Sequence, residues 1–290
     1  MNEVMEGLDL QHSDVVIDAT VNGGGHASQI VSALSDTGVF IGIDLDKTAL
    51  EISQEKLKGA ECQVELVHNS FKNLDQVLSE LELDGFDKIL FDLGWSSNQF
   101  EKAERGFSFN LEGPLLMTLA DDPSTADFTA YDIINTWEAS HIIDILEGYG
   151  EERYAYKITQ GIIKAREEKA IVSTTELADI IKQAVPGKYR NGPIHPATKT
   201  FQALRIAVNN EMEVLKEGLR KAFEYLNPGG RILVISFHSI EDRIVKHYFK
   251  ELKQQGLAEI LTKRPQVATQ EELTENRRSR SAKLRIITKL

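Results

Sequence analysis

The glycine turn Gly23-Gly24-Gly25-His26, followed by an acid at Asp44, carries the first chemical signal in this chain of 290 residues. A glycine turn lets the backbone approach a ligand closely, and a helix opening behind it offers unpaired N–H groups. An acid at the tip of the next strand is placed to accept hydrogen bonds from both hydroxyls of a ribose. Together they point to a nucleotide-type cofactor. A second polar run, Asp92-Leu93-Gly94-Trp95-Ser96-Ser97-Asn98-Gln99, closes a later apolar segment. Loops at that end of open α/β sheets are where ligands bind.

Such residues need a parallel sheet to hold them. Apolar runs at Val15–Thr20, Val39–Asp44, Gln63–His68 and Lys88–Leu93 read as strands. Helical spacing covers Ala27–Leu34, Lys47–Leu57 and Leu74–Leu81 between them. This alternation predicts right-handed βαβ units, with strands buried on both faces. From Arg105 to about Thr198 no buried strand is expected. Ala139–Leu146, Glu152–Glu168 and Thr175–Ala184 have helical spacing, the last capped by Ser173-Thr174-Thr175-Glu176. Alternation resumes with one long helix, Gln202–Leu226, ended by Asn227-Pro228-Gly229-Gly230. A strand Arg231–Phe237, a helix Glu241–Lys253 and two closing strands, Leu257–Thr262 and Leu284–Thr288, complete the chain. The expected organisation is an α/β domain from 1–104 and 199–290, interrupted by an inserted helical domain over 105–198.

Composition narrows the function. No run of about 18 apolar residues is present, so no membrane span is expected. The acidic first residues do not form a secretory signal. One cysteine, Cys62, allows no disulfide within the chain, and the seven histidines show no metal-ligand spacing. A cytoplasmic protein without a metal follows as the expectation. The net charge of −12 argues against nucleic acid, but the average hides two acid-free basic stretches. Ile181–Leu204 carries Lys182, Lys188, Arg190 and Lys199; Asn276–Leu290 carries Arg277, Arg278, Arg280, Lys283, Arg285 and Lys289. A polyanion responds to such patches rather than to net charge. Each patch reads equally as solvated surface.

Two cofactors compete for the glycine turn. Dinucleotide domains want Gly-x-Gly-x-x-Gly, and Gly23-Gly24-Gly25-His26-Ala27-Ser28 lacks the third glycine. The polar loop after the fourth strand and the closing pair of strands suit an S-adenosylmethionine-dependent methyltransferase instead.

Several strings then resemble one family along nearly the whole chain. They are Asp18-Ala19-Thr20 with Gly24-Gly25-His26, Asp92–Gln99, Arg105-Gly106-Phe107-Ser108-Phe109, Gly150-Glu151-Glu152 and His195-Pro196-Ala197-Thr198 running into Phe201–Ile206 with Asn209. Ser236–Arg243 and Arg278–Arg285 complete the set. They look like the bacterial ribosomal RNA small subunit methyltransferase H family, also called MraW. The resemblance implies a class I, Rossmann-like fold with a seven-stranded, mostly parallel sheet. It also implies methylation of cytosine N4 in the decoding centre of 16S rRNA, with S-adenosylmethionine as methyl donor. The small ribosomal subunit or its rRNA would be the partner, and the inserted helical domain would help hold RNA.

By the family's pattern, Gly24, Gly25 and His26 line the methionine end of the cofactor, Asp44 binds the ribose and Phe71 lies beside the adenine. Asp92 and Gln99 match cofactor-binding positions, and Asp92 also faces the methyl acceptor as the candidate catalytic acid. The alternative for His26 is a helix cap, and for Phe71 it is core packing. Asp92 and Trp95 stand at the offsets of the acid and the aromatic in the Asp/Asn/Ser-Pro-Pro-Tyr loop of other amino-methyltransferases. Trp95 therefore either stacks on an extruded cytosine or packs against the inserted domain. Trp95, Ser96, Lys199, Arg205, Ser236, His238, Arg243 and Arg280 are the candidate substrate contacts. His238 either orients the base or a phosphate, or is structural; Arg205 and Arg243 either meet phosphates or pair with acids.

Three departures from the family stand out. Asn22 replaces a usual glycine, in a turn where Asn tolerates the left-handed conformation. Leu115-Leu116-Met117-Thr118-Leu119 replaces Leu-Asp-Met-Arg-Met. A short His-x-Pro-Val segment before the first helix is missing. The last two motivate an alternative function, an RNA-binding or ribosome-assembly factor that keeps the fold without catalysis.

Overall fold

Apolar strands stack side by side in the computed structural model, which describes residues 1–93, 103–120 and 122–290. The chain opens with α1 (Asn2–Leu8), β1 (Val15–Asp18), α2 (Gly25–Ala33), β2 (Val39–Asp44) and α3 (Lys47–Lys56). Next come β3 (Gln63–His68), α4 (Leu74–Glu80) and β4 (Phe86–Asp92). Alternate strand residues serve opposite faces, as a pleated strand demands. Ile17, Ile41 and Ile89 enter one core cluster, and Val16, Phe40 and Leu90 the other. Each such buried side chain contributes about 1.5–3 kcal/mol.

The middle of the chain is helical: α5 (Ala130–Thr136), α6 (Ala139–Gly148), α7 (Ala155–Glu168), α8 (Thr174–Ala184), the single-turn α9 (Gly187–Arg190) and α10 (Thr198–Asn209). Among the described residues here, extended pairing is confined to one bridge, Pro114 to Ser173. Ser173 caps α8 by accepting from the Glu176 N–H. The chain then returns to the sheet through α11 (Glu211–Tyr225), β5 (Leu226–Ser236), α12 (Ser239–Gln254), β6 (Ala258–Ile260), β7 (Gln266–Val267), α13 (Gln270–Glu275) and β8 (Lys283–Lys289).

The strand order is β3-β2-β1-β4-β5-β8-β6. β1 to β5 run parallel, and β8 is antiparallel to both β5 and β6. This is the class I methyltransferase arrangement. The expected seven strands form its path, and a two-residue strand, β7, adds an eighth by pairing with β8. Among the described residues no helix is long and apolar enough to cross a membrane.

Two expectations need correction. The single helix over Gln202–Leu226 is two helices, α10 and α11. Asn210 between them is left-handed, with φ 48°, a conformation Asn tolerates better than most residues. Asn209 is committed elsewhere: its Nδ2 donates to the Met117 and Arg205 carbonyls, and its Oδ1 accepts from Leu119 N–H. Spacing cannot reveal such a break, because the apolar period continues through it.

The domain borders also move. The chain divides into two compact units, Met1–Gly94 with Met212–Leu290, and Trp95–Glu211. Helix α10 packs on α5 and α6, so Lys199 and Arg205 belong to the helical unit and not to the sheet unit expected from residue 199. The helical unit has its own core, which includes Ile133, Ile142, Ile158, Leu177 and Leu204. Because β1, β2, β4 and β5 are parallel, their C-terminal ends share one rim of the sheet unit.

Candidate active site

The rim is built around the turn after β1. Asn22 is left-handed with φ 50°, and Gly24 follows with φ +72°. The Asn22 side chain donates to the Thr20 carbonyl at 2.9 Å, so Asn holds the turn where glycine would only permit it. Gly24 caps α2 without any side-chain bond. The first-turn N–H groups of α2 therefore lack intrahelical acceptors. A Cβ built at Gly25 meets no atom within 4 Å, so open space lies against the helix start. At Gly24 a Cβ would crowd Ser53 Oγ at 3.2 Å.

Helix α3 braces the turn from behind. Ser53 Oγ, fully buried, donates to the Asn22 carbonyl at 3.2 Å, and Lys56 Nζ donates to the Gly23 carbonyl. Two carbonyls of the turn are thus drawn toward α3. Ser53 and Lys56 escaped the sequence reading because nothing in the spacing links α3 to a turn so far upstream.

Asp44 ends β2. Its Oδ2 accepts from Asn22 N–H at 2.8 Å and its Oδ1 from Asp46 N–H at 2.9 Å. Each carboxylate oxygen retains acceptor capacity beyond one bond. Burial raises the Asp44 pKa above the ordinary value, outweighing the backbone donors that lower it. Asp92 ends β4. Its backbone N–H donates to Thr20 Oγ1 at 2.8 Å, which ties the end of β4 to the turn after β1. His26 Nδ1 stands 3.5 Å from Asp92 Oδ2. Burial, with the chain's N-terminal amine adding a smaller effect, lowers the His26 pKa to about 4, so its imidazole is neutral at pH 7.

Asp18, buried at the end of β1, accepts from Thr20 N–H at 3.2 Å. Burial raises its pKa to about 8; Thr20 N–H opposes the rise, and the charges of Asp92 and Asp44 reinforce it. Asp18 and Thr20 belong to a string that the sequence singled out, but only the fold shows them tying the two strand ends together. Phe71 follows β3. Its ring meets Phe91 edge-on at 5.3 Å and lies over Gly218, where a Cβ would come within 2.5 Å of the ring. Phe71 is half-buried against the core, with part of the residue left exposed.

Gly24, Gly25, His26, Asp44, Asp92 and Phe71 thus all lie in the sheet unit, the first five at the rim ends of β1, β2 and β4. Gln99, Trp95 and Ser96 lie outside the described residues. The other candidates divide. Ser236 is buried and its Oγ reaches the Lys283 carbonyl at 3.5 Å. His238 is the N-cap of α12: its Nδ1 accepts from Glu241 N–H, and its Nε2 stands 3.1 Å from buried Glu241 Oε1. Glu241 in turn accepts from the Phe237 and His238 N–H groups. Both ring nitrogens of His238 thus face this cap, which favours the structural side of the sequence reading.

Arg205 forms a bidentate pair with Glu211, both bonds 2.8 Å, so of its two alternatives the acid partner prevails. Lys199 Nζ donates to the Glu151 carbonyl at 2.8 Å and meets no carboxylate among the described residues. Arg280 and Arg243 are both exposed. The departing segment 115–119 is held by backbone bonds: Arg105 donates to the Thr118 and Ala120 carbonyls, and Asn209 anchors both sides of Thr118. Thr118 itself is buried.

Comparison with known proteins agrees with this topology. A family model described as the MraW methylase family matches residues 1–290. The chain is 47% identical over 284 residues to ribosomal RNA small subunit methyltransferase H of Sulfurihydrogenibium sp. (strain YO3AOP1), covering 98% of this chain and 95% of that one. The protein of the same name from Caldicellulosiruptor saccharolyticus is 44% identical, with 95% and 93% covered. That from Clostridioides difficile is 40% identical, with 100% and 97% covered. With the whole chain matched and the glycine turn, Asp44 and Asp92 set at one rim of a class I sheet, this protein belongs to the MraW methylase family.

Proposed function

We propose that the protein is a cytoplasmic enzyme that uses S-adenosylmethionine to methylate N4 of a cytosine in the decoding centre of 16S rRNA, acting on the small ribosomal subunit. The observation that carries this reading is the linkage of Asp44, the glycine turn and Asp92 into one hydrogen-bonded rim. The residues fit the cofactor. Open space at Gly25 against unpaired helix N–H groups suits a carboxylate. Asp44, steadied by two backbone donors, keeps acceptor capacity for a ribose diol. The half-buried Phe71 offers an aromatic edge or face to an adenine. The acids at the rim favour a cation, as a sulfonium is.

When bound, S-adenosylmethionine supplies an electrophilic methyl group on a positively charged sulfur. The chain's own work is to hold the acceptor. The lone pair of a cytosine N4 is delocalised into the ring, so an acceptor that orients N4–H and aligns the attack lowers the barrier through geometry and electrostatics. Asp92 is the group assigned to that task. Its backbone is held by Thr20, and neutral His26 beside it can donate a hydrogen bond without cancelling its charge. No strong base is needed, because an alkylated amine gives up its proton readily.

The deciding experiment incubates the protein with labelled cofactor and small subunits lacking the modification, then maps the labelled base. Label on cytosine N4 is the expected result, and label on another base or none overturns the reading. Asp92→Ala should abolish transfer while retaining cofactor binding better than Asp44→Ala.

A further inference from the structure

Three of the strings singled out in the sequence have no part in the rim: Arg105–Phe109, Gly150–Glu152 and His195–Phe201. In the helical unit they come together. The Phe109 ring meets buried Phe201 edge-on at 5.3 Å, and the His195 imidazole stacks on Phe109 at 4.5 Å, with 13° between the planes. Phe201 is buried, Phe109 half-buried and His195 exposed. An aromatic ladder therefore rises from the core to an exposed ring. His195 Nδ1 accepts from Ala197 N–H at 3.2 Å, which fixes the ring's orientation. Partial burial lowers the His195 pKa below the ordinary histidine value, with Lys182 adding to that and Asp179 opposing it.

A second exposed π surface lies at the Gly150–Glu152 string. The buried Glu152 carboxylate accepts from Tyr154 N–H at 2.8 Å and from Tyr189 OH at 2.6 Å. Its charge is turned inward. The neighbouring Arg153 is exposed, with its guanidinium 4.8 Å from the Tyr154 ring and 4.9 Å from the Tyr189 ring. Lys199 joins the two surfaces, since its ammonium sits on the Glu151 carbonyl. Lys182 and Lys188 are exposed, and among the described residues neither they, Lys199 nor Arg153 meets a carboxylate within ion-pair distance.

An exposed ring and an exposed guanidinium, each backed by aromatic rings, beside cations that meet no carboxylate among the described residues, suit a polyanion whose bases are free to stack. We propose that the helical unit binds unpaired RNA here, stacking bases on His195 over Phe109 and on Arg153 over Tyr189, with Lys182 and Lys188 at the phosphates. This rests on the reading that the substrate is RNA, and it adds the strand state that the substrate must present.

The test is fluorescence anisotropy of the full-length protein with a labelled 15-nucleotide single-stranded RNA and with a duplex of the same length. Base stacking on an aromatic is worth a sizeable factor per base, so His195→Ala and Arg153→Ala should each weaken single-strand binding about tenfold. His195→Phe, which keeps a ring and loses the imidazole, should bind within about twofold of the parent. Cofactor affinity by calorimetry should not move in any of the three. Unchanged RNA affinity in both alanine variants, or tighter binding of the duplex, overturns the proposal. Loss with His195→Phe equal to that with His195→Ala overturns the stacking role. Single-strand binding that depends on these residues, in a protein that never labels cytosine N4, supports the surface and overturns the proposed reaction instead.

Discussion

The two acid-free basic stretches look alike in sequence and differ in what the fold does with them. In the C-terminal stretch the three charges on β8 are engaged, while Arg277 and Arg280 stay exposed. Lys283 and Arg285 both reach Asp242 on α12, at 3.2 and 2.7 Å. Lys289 donates to the carbonyls of Phe223, Glu224 and Leu226 at the end of α11, where a cation meets the negative end of the helix. In 181–204, Lys182 and Lys188 remain exposed and Lys199 rests on a carbonyl. An acid-free window therefore describes only the local chain. Whether its charge is open to a partner depends on acids that the fold delivers from elsewhere.

The sharpest way to break this contrast is to remove the acid that neutralises the C-terminal pair. Asp242 and Arg285 are nearly buried, 13% and 10% exposed at the side chain. Asp242→Ala strands a buried guanidinium, so it should destabilise the fold by about 3 kcal/mol. Urea unfolding reads this directly. A loss below about 0.5 kcal/mol would mean that the stretch is solvated and that the contrast is false.

The same accounting applies to the rim, where acids crowd instead of bases. Thr20→Val removes the acceptor for Asp92 N–H, leaves a part-buried donor unmet and lets the end of β4 shift. Turnover should fall about tenfold with cofactor affinity within about threefold, and Thr20→Ser should restore it. Equal losses in turnover and cofactor affinity would make Thr20 part of the cofactor seat instead of a support for Asp92.

Asp18 extends the contrast to pH. Its folded pKa is near 8 against an ordinary 3.8, so between these values the folded state keeps a proton that the unfolded chain gives up. Stability then falls as pH rises, by at most about 1.4 kcal/mol per unit, and levels off above 8. His26, depressed to about 4 from 6.5, acts oppositely, since the unfolded chain alone takes up its proton between those values. The two offset each other from about 4 to 6.5, and the Asp18 slope stands clear from about 6.5 to 8. Asp18→Asn should flatten stability across that window in thermal melts at fixed ionic strength. An unchanged slope would refute a protonated Asp18.

The smallest effect tests the open stretch. Each phosphate contact on a single strand contributes about 0.7 to the salt slope of binding. Lys182→Ala with Lys188→Ala should lower the slope by about 1.4 without changing the melting temperature. The corresponding change at Lys289 should do the reverse, costing stability and leaving the slope alone.

Much of the sheet was readable because its strands are short, apolar and bounded by turns. β2 and β3 match their expected bounds, and α3, α4 and α8 begin within a residue of theirs. The misses share a cause. The helix break at Asn210 and the placement of α10 with the helical unit depend on Asn209 and on packing against α5 and α6. These contacts span too much chain for local periodicity to register. At the rim, Asp44 and the glycine turn stood out because their chemistry is local. Thr20's bond to Asp92 and the bracing by Ser53 and Lys56 did not, because each joins separate strands or helices.

By itself, then, the order of residues determined the βαβ frame, the position of the cofactor turn and the acids at the strand ends. Hydrophobic period, glycine and capping residues act within a few positions of one another. Only the tertiary structure decided which charges are open. Asp242 pairs with Lys283 and Arg285, Glu211 quenches Arg205, Glu241 engages His238, and Glu152 turns inward beneath Arg153. Electrostatic pairing acts through space, and its partners are set by folding rather than by proximity along the chain.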